Sequence, residues 1–195
     1  GALTQARQSL HIGPSALHWD GNALVLQLHE VTAPWPTPLR GQVRLLPHGL
    51  LEQPYALDAE GCHHWTPLAP SARVEVQLER PALRWQGSGY LDSNRGVRPL
   101  ERDFVRWDWS RAELAPGRSA VLYDVERRDG GALALGLAFG PQGVSPFEAP
   151  ARSALPRTGW RLPRQTRSDL GHPPRVLQTL EDGPFYARSL LQTRL

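Results

Sequence analysis

The stretch RVEVQLE, residues 73–79, decides the fold class because apolar and polar residues alternate along it without a break. Val74, Val76 and Leu78 fall on one side of an extended chain, and charged or amide side chains fall on the other. Successive side chains of a β-strand point to opposite faces, so the stretch predicts a strand with one buried face. Half-buried strands of this kind are typical of antiparallel sheets.

Three further segments repeat this alternation: residues 24–28, 105–109 and 132–139. In the second segment, Trp107 and Trp109 share a face, which predicts that they are core residues and that Asp108 between them faces solvent. A segment with sustained helical periodicity is absent, and the best candidate for a short helical turn is 110–114.

Glycine and proline, with 18 and 19 copies, divide the chain into short segments throughout its length. Three proline clusters, at 34–38, 67–70 and 173–174, are predicted to be connections because proline is poorly tolerated inside central strands. The predicted class is therefore an antiparallel all-β protein, a barrel or a sandwich with little helix. Barrels of this class often enclose an apolar ligand.

Composition excludes several kinds of protein. The single cysteine, Cys62, excludes an internal disulfide framework, and the histidines show no metal-ligand spacing, so no metal is expected. All 22 basic residues are arginine and are mixed with 19 acids, which argues against a nucleic-acid partner. The chain contains no methionine, from which we expect a fragment of a longer protein.

The middle of the chain concentrates polar and aromatic residues at a spacing of two. His63 and Trp65 share one face if their segment is extended, and so do Tyr90 and Asp92. Two such strands could line one cavity with titratable groups beside aromatic rings. The simpler alternatives are a hydrogen-bonded structural histidine and an Asx turn at Asp92.

The sequence resembles a known family, the acyclic carotenoid 1,2-hydratases, also called hydroxyneurosporene synthases. The likeness runs in order over essentially the whole chain. It is carried by SALHWDG (15–21), HHWTPLAP (63–70), WQGSGYLDSN (85–94), FVRWDWSR (104–111) and LEDGPFYAR (180–188).

The resemblance implies two lipocalin-like β domains in tandem. Residues 1–50 would be the end of an incomplete first domain, and residues 51–195 would be a second domain carrying the site motifs. Members of the family carry a further N-terminal segment rich in tryptophan and tyrosine, which this chain is expected to lack.

The family's reaction adds water to the terminal double bond of an acyclic carotene, such as lycopene or neurosporene, and gives a tertiary alcohol without a cofactor. An isolated alkene must be protonated on carbon, and this requires a carboxylic acid kept neutral by apolar surroundings. Aromatic faces would stabilise the resulting cation, and a polar group would place the water.

Carried over by position, the resemblance makes Asp92 the candidate proton donor and Tyr90 the group that orients it or stabilises the cation. Trp65 would offer an aromatic face, and His63 would hold Asp92 or the water. The candidates for the substrate-binding wall or the core are Trp85, Trp107 and Trp109.

A second hypothesis remains open, namely a non-catalytic lipocalin-like carrier of a long apolar or isoprenoid ligand. Either function involves a molecule that does not diffuse freely in water. We therefore expect peripheral contact with the cytoplasmic side of a membrane, through arginines or through an apolar loop such as Pro34-Trp35-Pro36, although simple packing of Trp35 is the favoured interpretation of that loop.

Overall fold

The chain is built almost entirely from β-strands. The computed structural model describes residues 3–195, and in this range the one helical segment is a 3₁₀ turn at Leu100–Arg102. The strands are β1 Leu3–Ala6, β2 Ser9–Ile12, β3 Ser15–Trp19, β4 Leu24–Val31, β5 Pro38–Pro47, β6 Tyr55–Ala56, β7 His63–Arg80, β8 Leu83–Gly96, β9 Phe104–Ala115, β10 Arg118–Arg127, β11 Ala132–Gly140, β12 Gly143–Pro146, β13 Arg152–Leu155, β14 Arg164–Arg167, β15 Arg175–Asp182 and β16 Ala187–Gln192.

The antiparallel all-β class predicted from the alternating segments is confirmed. One sheet has the strand order β1-β2-β3-β4-β5-β7-β6, with β8 paired to β7. A second sheet has the order β12-β11-β10-β9, and two hairpins are formed by β13 with β14 and by β15 with β16. The four alternating segments fall within β4, β7, β9 and β11.

The described chain divides into two compact units. Unit 1 contains residues up to 55 together with 65–94, and unit 2 contains 56–64 and 95–195. The long strands β7 and β8 each contribute residues to both units. The boundary between lipocalin-like domains at residue 50 stays a prediction.

The core of unit 1 fixes the orientation of β8. Leu45 of β5 and two alanines of β7, Ala69 and Ala72, form a buried cluster against which Leu91 of β8 packs. Because neighbouring side chains of a strand point to opposite faces, this contact turns the residues on either side of Leu91 to the other face of β8. One apolar contact therefore sets the direction of two polar side chains.

The proline cluster at 67–70 is not a connection, contrary to the prediction. Pro67 and Pro70 lie inside β7, and both are buried. The pairing of β7 with β5 begins at Ala72, opposite Pro47, so neither proline occupies a position that must donate a hydrogen bond to β5. The clusters at 34–38 and 173–174 lie at connections, before or at the start of β5 and before β15.

The short helical turn predicted at 110–114 is also absent, since these residues continue β9. Ser110, Arg111 and Ala112 pair with Leu122, Val121 and Ala120 of β10. Pairing along a neighbouring strand outweighs the weak local helical preference.

The prediction that Trp107 and Trp109 are core residues is wrong. Their side chains keep 45% and 40% of their surface exposed, although their cross-strand partners Val125 and Tyr123 are buried. The face of β9 that carries the indoles is therefore the more exposed one, since the residues that alternate with them are half-buried. β9 is the edge strand of its sheet, and an edge leaves one side of each indole uncovered.

The prediction that Asp108 faces solvent is wrong. Asp108 lies on the opposite face of the sheet from the indoles, and the β13–β14 hairpin covers that face. There the carboxylate of Asp124 on β10 accepts hydrogen bonds from Nε and Nη2 of Arg167 on β14, at 2.7 to 3.0 Å. Arg152 on β13 approaches the same carboxylate at 3.5 Å. The polar residues of β9 and β10 thus form a charged layer beneath the hairpin.

We expect the Arg167→Ala substitution to destabilise the protein by about 3 kcal/mol, because it leaves the buried carboxylate of Asp124 without its main partner. Denaturant unfolding measures this loss. Arg188→Ala is the matched control, since Arg188 forms an exposed pair with Glu181 and its loss should cost no more than about 0.5 kcal/mol. Equal effects of the two substitutions would contradict the role assigned to the charged layer.

Candidate active site

The carboxyl group of Asp92 is held by two aromatic side chains in unit 1. The indole Nε1–H of Trp65 donates to Asp92 Oδ2 at 2.8 Å, and the phenol of Tyr90 donates to the same oxygen at 3.0 Å. The structure therefore brings together three of the four residues suggested as catalytic. We call Trp65, Tyr90 and Asp92 the aspartate site.

The local sequence explains this geometry. Tyr90 and Asp92 are two residues apart on β8 and share a face, whereas Trp65 comes from β7, the strand that pairs with β8. Trp65 has no exposed surface, and its ring lies 5.6 Å from that of Tyr55 at a tilt of 39°. Burial raises the pKa of the Tyr55 phenol. The donor that holds Asp92 is thus itself fixed by packing.

The two oxygens of Asp92 have different surroundings. Both aromatic donors point to Oδ2, which leaves Oδ1 as the oxygen to which neither of them binds. A neutral carboxylic acid carries its proton on one oxygen and accepts hydrogen bonds on the other. In the neutral form of Asp92, these donors therefore favour a proton on Oδ1.

His63 binds a different carboxylate, which sequence reasoning did not find. Its Nε2 lies 2.6 Å from Oδ2 of Asp103, and Nε of Arg98 donates to the same oxygen at 2.6 Å. Since a carboxylate only accepts hydrogen bonds, the proton of the imidazole belongs on Nε2. His63 is buried, with its ring 4.8 Å from that of Phe104.

The backbone around His63 is fixed as closely as its ring. The carboxylate of Asp58 accepts hydrogen bonds from the backbone N–H groups of Cys62 and His63, at 2.8 and 2.7 Å. On the other side, a Cβ at Gly96 would lie only 2.5 Å from the Nδ1 atom of His63. A glycine is required at position 96 because the imidazole occupies the space of a side chain.

The carboxyl group of Asp103 is ionised in this arrangement. Hydrogen bonding from Arg98, and next from His63, lowers the pKa of the Asp103 carboxyl below its ordinary value of 3.8. Asp103 is therefore ionised at neutral pH, and Nε2 of His63 is held as a donor to it. This imidazole is oriented by unit 2, and the role of holding Asp92 that the resemblance implied for it stays a prediction.

The remaining predicted residues are partly exposed. Trp85 lies near the start of β8 with 47% of its surface exposed, and Trp107 and Trp109 lie on the apolar face of β9. Their role in binding a substrate stays a prediction.

Asp108 is a further titratable group whose environment sequence reasoning missed. Burial raises the pKa of its carboxyl, and the neighbouring Arg106 guanidinium opposes this rise. A sequence signal for this environment lies on β10, where Asp124 and Glu126 alternate with apolar residues. These two residues mark the same polar face as Asp108. Asp103 offered no such local pattern, because its partner His63 is 40 residues away.

Among residues 3–195, no cluster of three or more histidine, cysteine, aspartate or glutamate side chains has the arrangement of a metal site. The same range contains no helix with the length and apolar character needed to cross a membrane.

Fold and site together define the class of this protein: an antiparallel all-β protein with an aspartate oriented by a buried indole and a phenol. The family model described as carotenoid hydratase CrtC matches residues 1–195. The chain therefore belongs to the carotenoid hydratase family, and the family resemblance is confirmed.

Named relatives agree with this membership. An acyclic carotenoid 1,2-hydratase of Thiocapsa roseopersicina is 52% identical over 100% of the chain and 48% of that protein. Proteins of the same name from Rubrivivax gelatinosus and Cereibacter sphaeroides are 45% and 38% identical, over 99% and 98% of the chain and 48% and 69% of their own lengths. The chain thus spans about half the length of the first two relatives. No solved structure matches it.

We expect Asp103→Asn to make the melting temperature less dependent on pH in the acid range. A carboxyl whose pKa is lowered by folding stabilises the protein above its unfolded pKa, and this contribution is lost as the pH falls through the folded pKa. The melting temperature of the wild type should therefore decrease when the pH is lowered past about 4. The variant should melt lower at neutral pH and change less on acidification.

Thermal unfolding followed by circular dichroism across this pH range measures the effect. Glu60→Gln, at an exposed residue of the same unit, is the control and should leave the acid slope unchanged. An acid slope that is as steep in Asp103→Asn as in the wild type would refute the assignment.

Proposed function

We propose that the protein hydrates the terminal C1–C2 double bond of an acyclic carotene, with Asp92 as the acid. The observation that carries this proposal is the convergence of the Trp65 and Tyr90 donors on Asp92 Oδ2. Family membership supports the same reaction class, because the named relatives are acyclic carotenoid 1,2-hydratases. Lycopene and neurosporene are the proposed substrates.

The proposed reaction begins with proton transfer from Oδ1 of Asp92 to C2 of the alkene. The π electrons form the new C–H bond and leave a tertiary cation at C1. Water adds to C1 through its oxygen, and the oxonium group then returns a proton to the Asp92 carboxylate. The sum is alkene plus water to tertiary alcohol, and Asp92 ends as it began, with no cofactor consumed.

The aromatic residues of the aspartate site have separate tasks in this scheme. Trp65 is fully buried and its N–H is bonded to Asp92, so we assign it to holding the acid in place. Tyr90 is half-buried and donates to the same oxygen, so it orients the acid from a more accessible position. Both donors stabilise the negative charge that appears on Asp92 as the proton leaves.

We further propose that Trp107 and Trp109 bind the polyene chain. Their half-exposed rings share an apolar face with the buried side chains of Val125 and Tyr123. A long apolar molecule gains by covering such a surface, and indole faces add large contact areas.

We expect Asp92→Asn in the full-length protein to lower the turnover of lycopene by about 100- to 10,000-fold, the usual contribution of a general acid. Tyr90→Phe should cost about tenfold, because it removes one of the two hydrogen bonds to Oδ2. Product formation is followed by mass spectrometry as the addition of one water.

Ser93→Ala is the control, since Ser93 is the next residue on β8, points to the opposite face and is exposed. It should retain wild-type turnover. Near-normal turnover by Asp92→Asn would remove Asp92 from the mechanism.

We expect the double substitution Trp107→Ala and Trp109→Ala to raise KM by about tenfold or more, while kcat changes little. These rings would bind substrate and transition state equally and so contribute uniform binding. A loss confined to kcat would contradict the assignment.

The alternative function is a carrier that retains a long apolar ligand unchanged. The partly exposed apolar face of β9 favours it, since such a face can bind a polyene without any acid. Recovery of unaltered lycopene from the full-length protein, with no product heavier by one water, would decide for the carrier.

A further inference from the structure

The exposed apolar side chains of unit 1 are concentrated at one end of its sheet. The strand registers place the turn between β2 and β3, the connection between β4 and β5 and the turn between β7 and β8 at the same end. Six of the seven large exposed apolar side chains described in this unit lie there, and Leu50 is at the other end. The six are Leu3, Ile12, Val31, Trp35, Leu83 and Trp85.

The β4–β5 connection is the most prominent part of this end. Val31 pairs with Pro38, and the six residues between them form the tip. Trp35 at its centre is 81% exposed, so the interpretation that it is a packing residue is wrong. The two prolines beside it restrict the backbone and so reduce the entropy that the tip would lose on binding.

Several polar backbone groups of the tip are hydrogen-bonded within the tip itself. The Thr32 N–H donates to the Thr37 carbonyl at 3.0 Å, and the Thr37 N–H donates to the Trp35 carbonyl at 2.9 Å. The Thr32 hydroxyl donates to the Trp35 carbonyl at 2.6 Å. Pro34 and Pro36 have no N–H to satisfy. Internal hydrogen bonding of this kind lowers the cost of bringing these backbone groups close to an apolar surrounding such as lipid.

Basic residues lie beside the apolar ones. Arg40 and Arg80 are cross-strand partners on β5 and β7, and Arg84 follows the β7–β8 turn. Of the two nearby carboxylates, Glu30 accepts a hydrogen bond from the Ser15 hydroxyl, and Glu79 is exposed. Tryptophan beside arginine at a protein tip matches the boundary between acyl chains and anionic headgroups.

We propose that this end of the unit 1 sheet binds the surface of a membrane containing anionic lipid, with Trp35 inserted at the headgroup level. The inference goes beyond the proposed reaction, since it states where the protein would collect an apolar molecule and not what it does with it. Binding is therefore tested on vesicles without carotene, so that it and the hydration chemistry can fail separately.

The experiment is co-sedimentation of the full-length protein with vesicles of equal parts phosphatidylcholine and phosphatidylglycerol. Trp35→Ser should weaken partitioning by about tenfold, because it removes the apolar area that Trp35 would bury in the lipid. Arg80→Ser and Arg84→Ser should each weaken it by about fivefold, and this effect should vanish on phosphatidylcholine alone.

Leu50→Ser, at the opposite end of the same sheet, and Trp160→Ser, at an exposed tryptophan of unit 2, are the controls and should bind as the wild type does. Absence of wild-type binding, or equal losses in Leu50→Ser and Trp35→Ser, would overturn the proposal. So would a change in oligomeric mass on Trp35→Ser, since it would mean that a second copy of the chain covers this end.

Discussion

The hydrogen bonds that converge on one oxygen of Asp92 are the constraint on which the aspartate site depends. An indole and a phenol donate to Oδ2; the indole belongs to the buried Trp65, and the phenol belongs to Tyr90, which shares a face of β8 with Asp92. The second oxygen is thereby distinguished from the first. In the proposed reaction, the oxygen without these donors is the one that would carry and deliver the proton.

The framework that keeps these groups in place is the packing of β7 and β8. Leu91 contacts the apolar cluster of unit 1 and turns its neighbours to the opposite face. In unit 2, the start of β7 is fixed separately, by Asp58 on the backbone and by Asp103 on the imidazole of His63. Apolar packing therefore holds the part of β7 that lies in unit 1, and hydrogen bonds to two carboxylates hold its start in unit 2.

The sequence predicted those features that depend on a spacing of two. It placed Tyr90 and Asp92 on one face, and it identified the strands that contain Val74 and Leu133. It did not predict which strand lies at a sheet edge, and this decides the exposure of Trp107. It did not predict the partner of His63 either, because Asp103 becomes its neighbour only through the pairing of distant segments. Tertiary pairing, not local preference, determined these outcomes.

The complete burial of Trp65 makes this residue a built-in reporter. Its indole proton is committed to Asp92, so the resonance of that proton and its rate of exchange with solvent depend on the state of one carboxyl group. A ligand that approaches Asp92 would change this signal without touching the tryptophan. The acid at the centre of the proposed chemistry can thus be observed directly, at a single resolved proton, in the absence of any turnover.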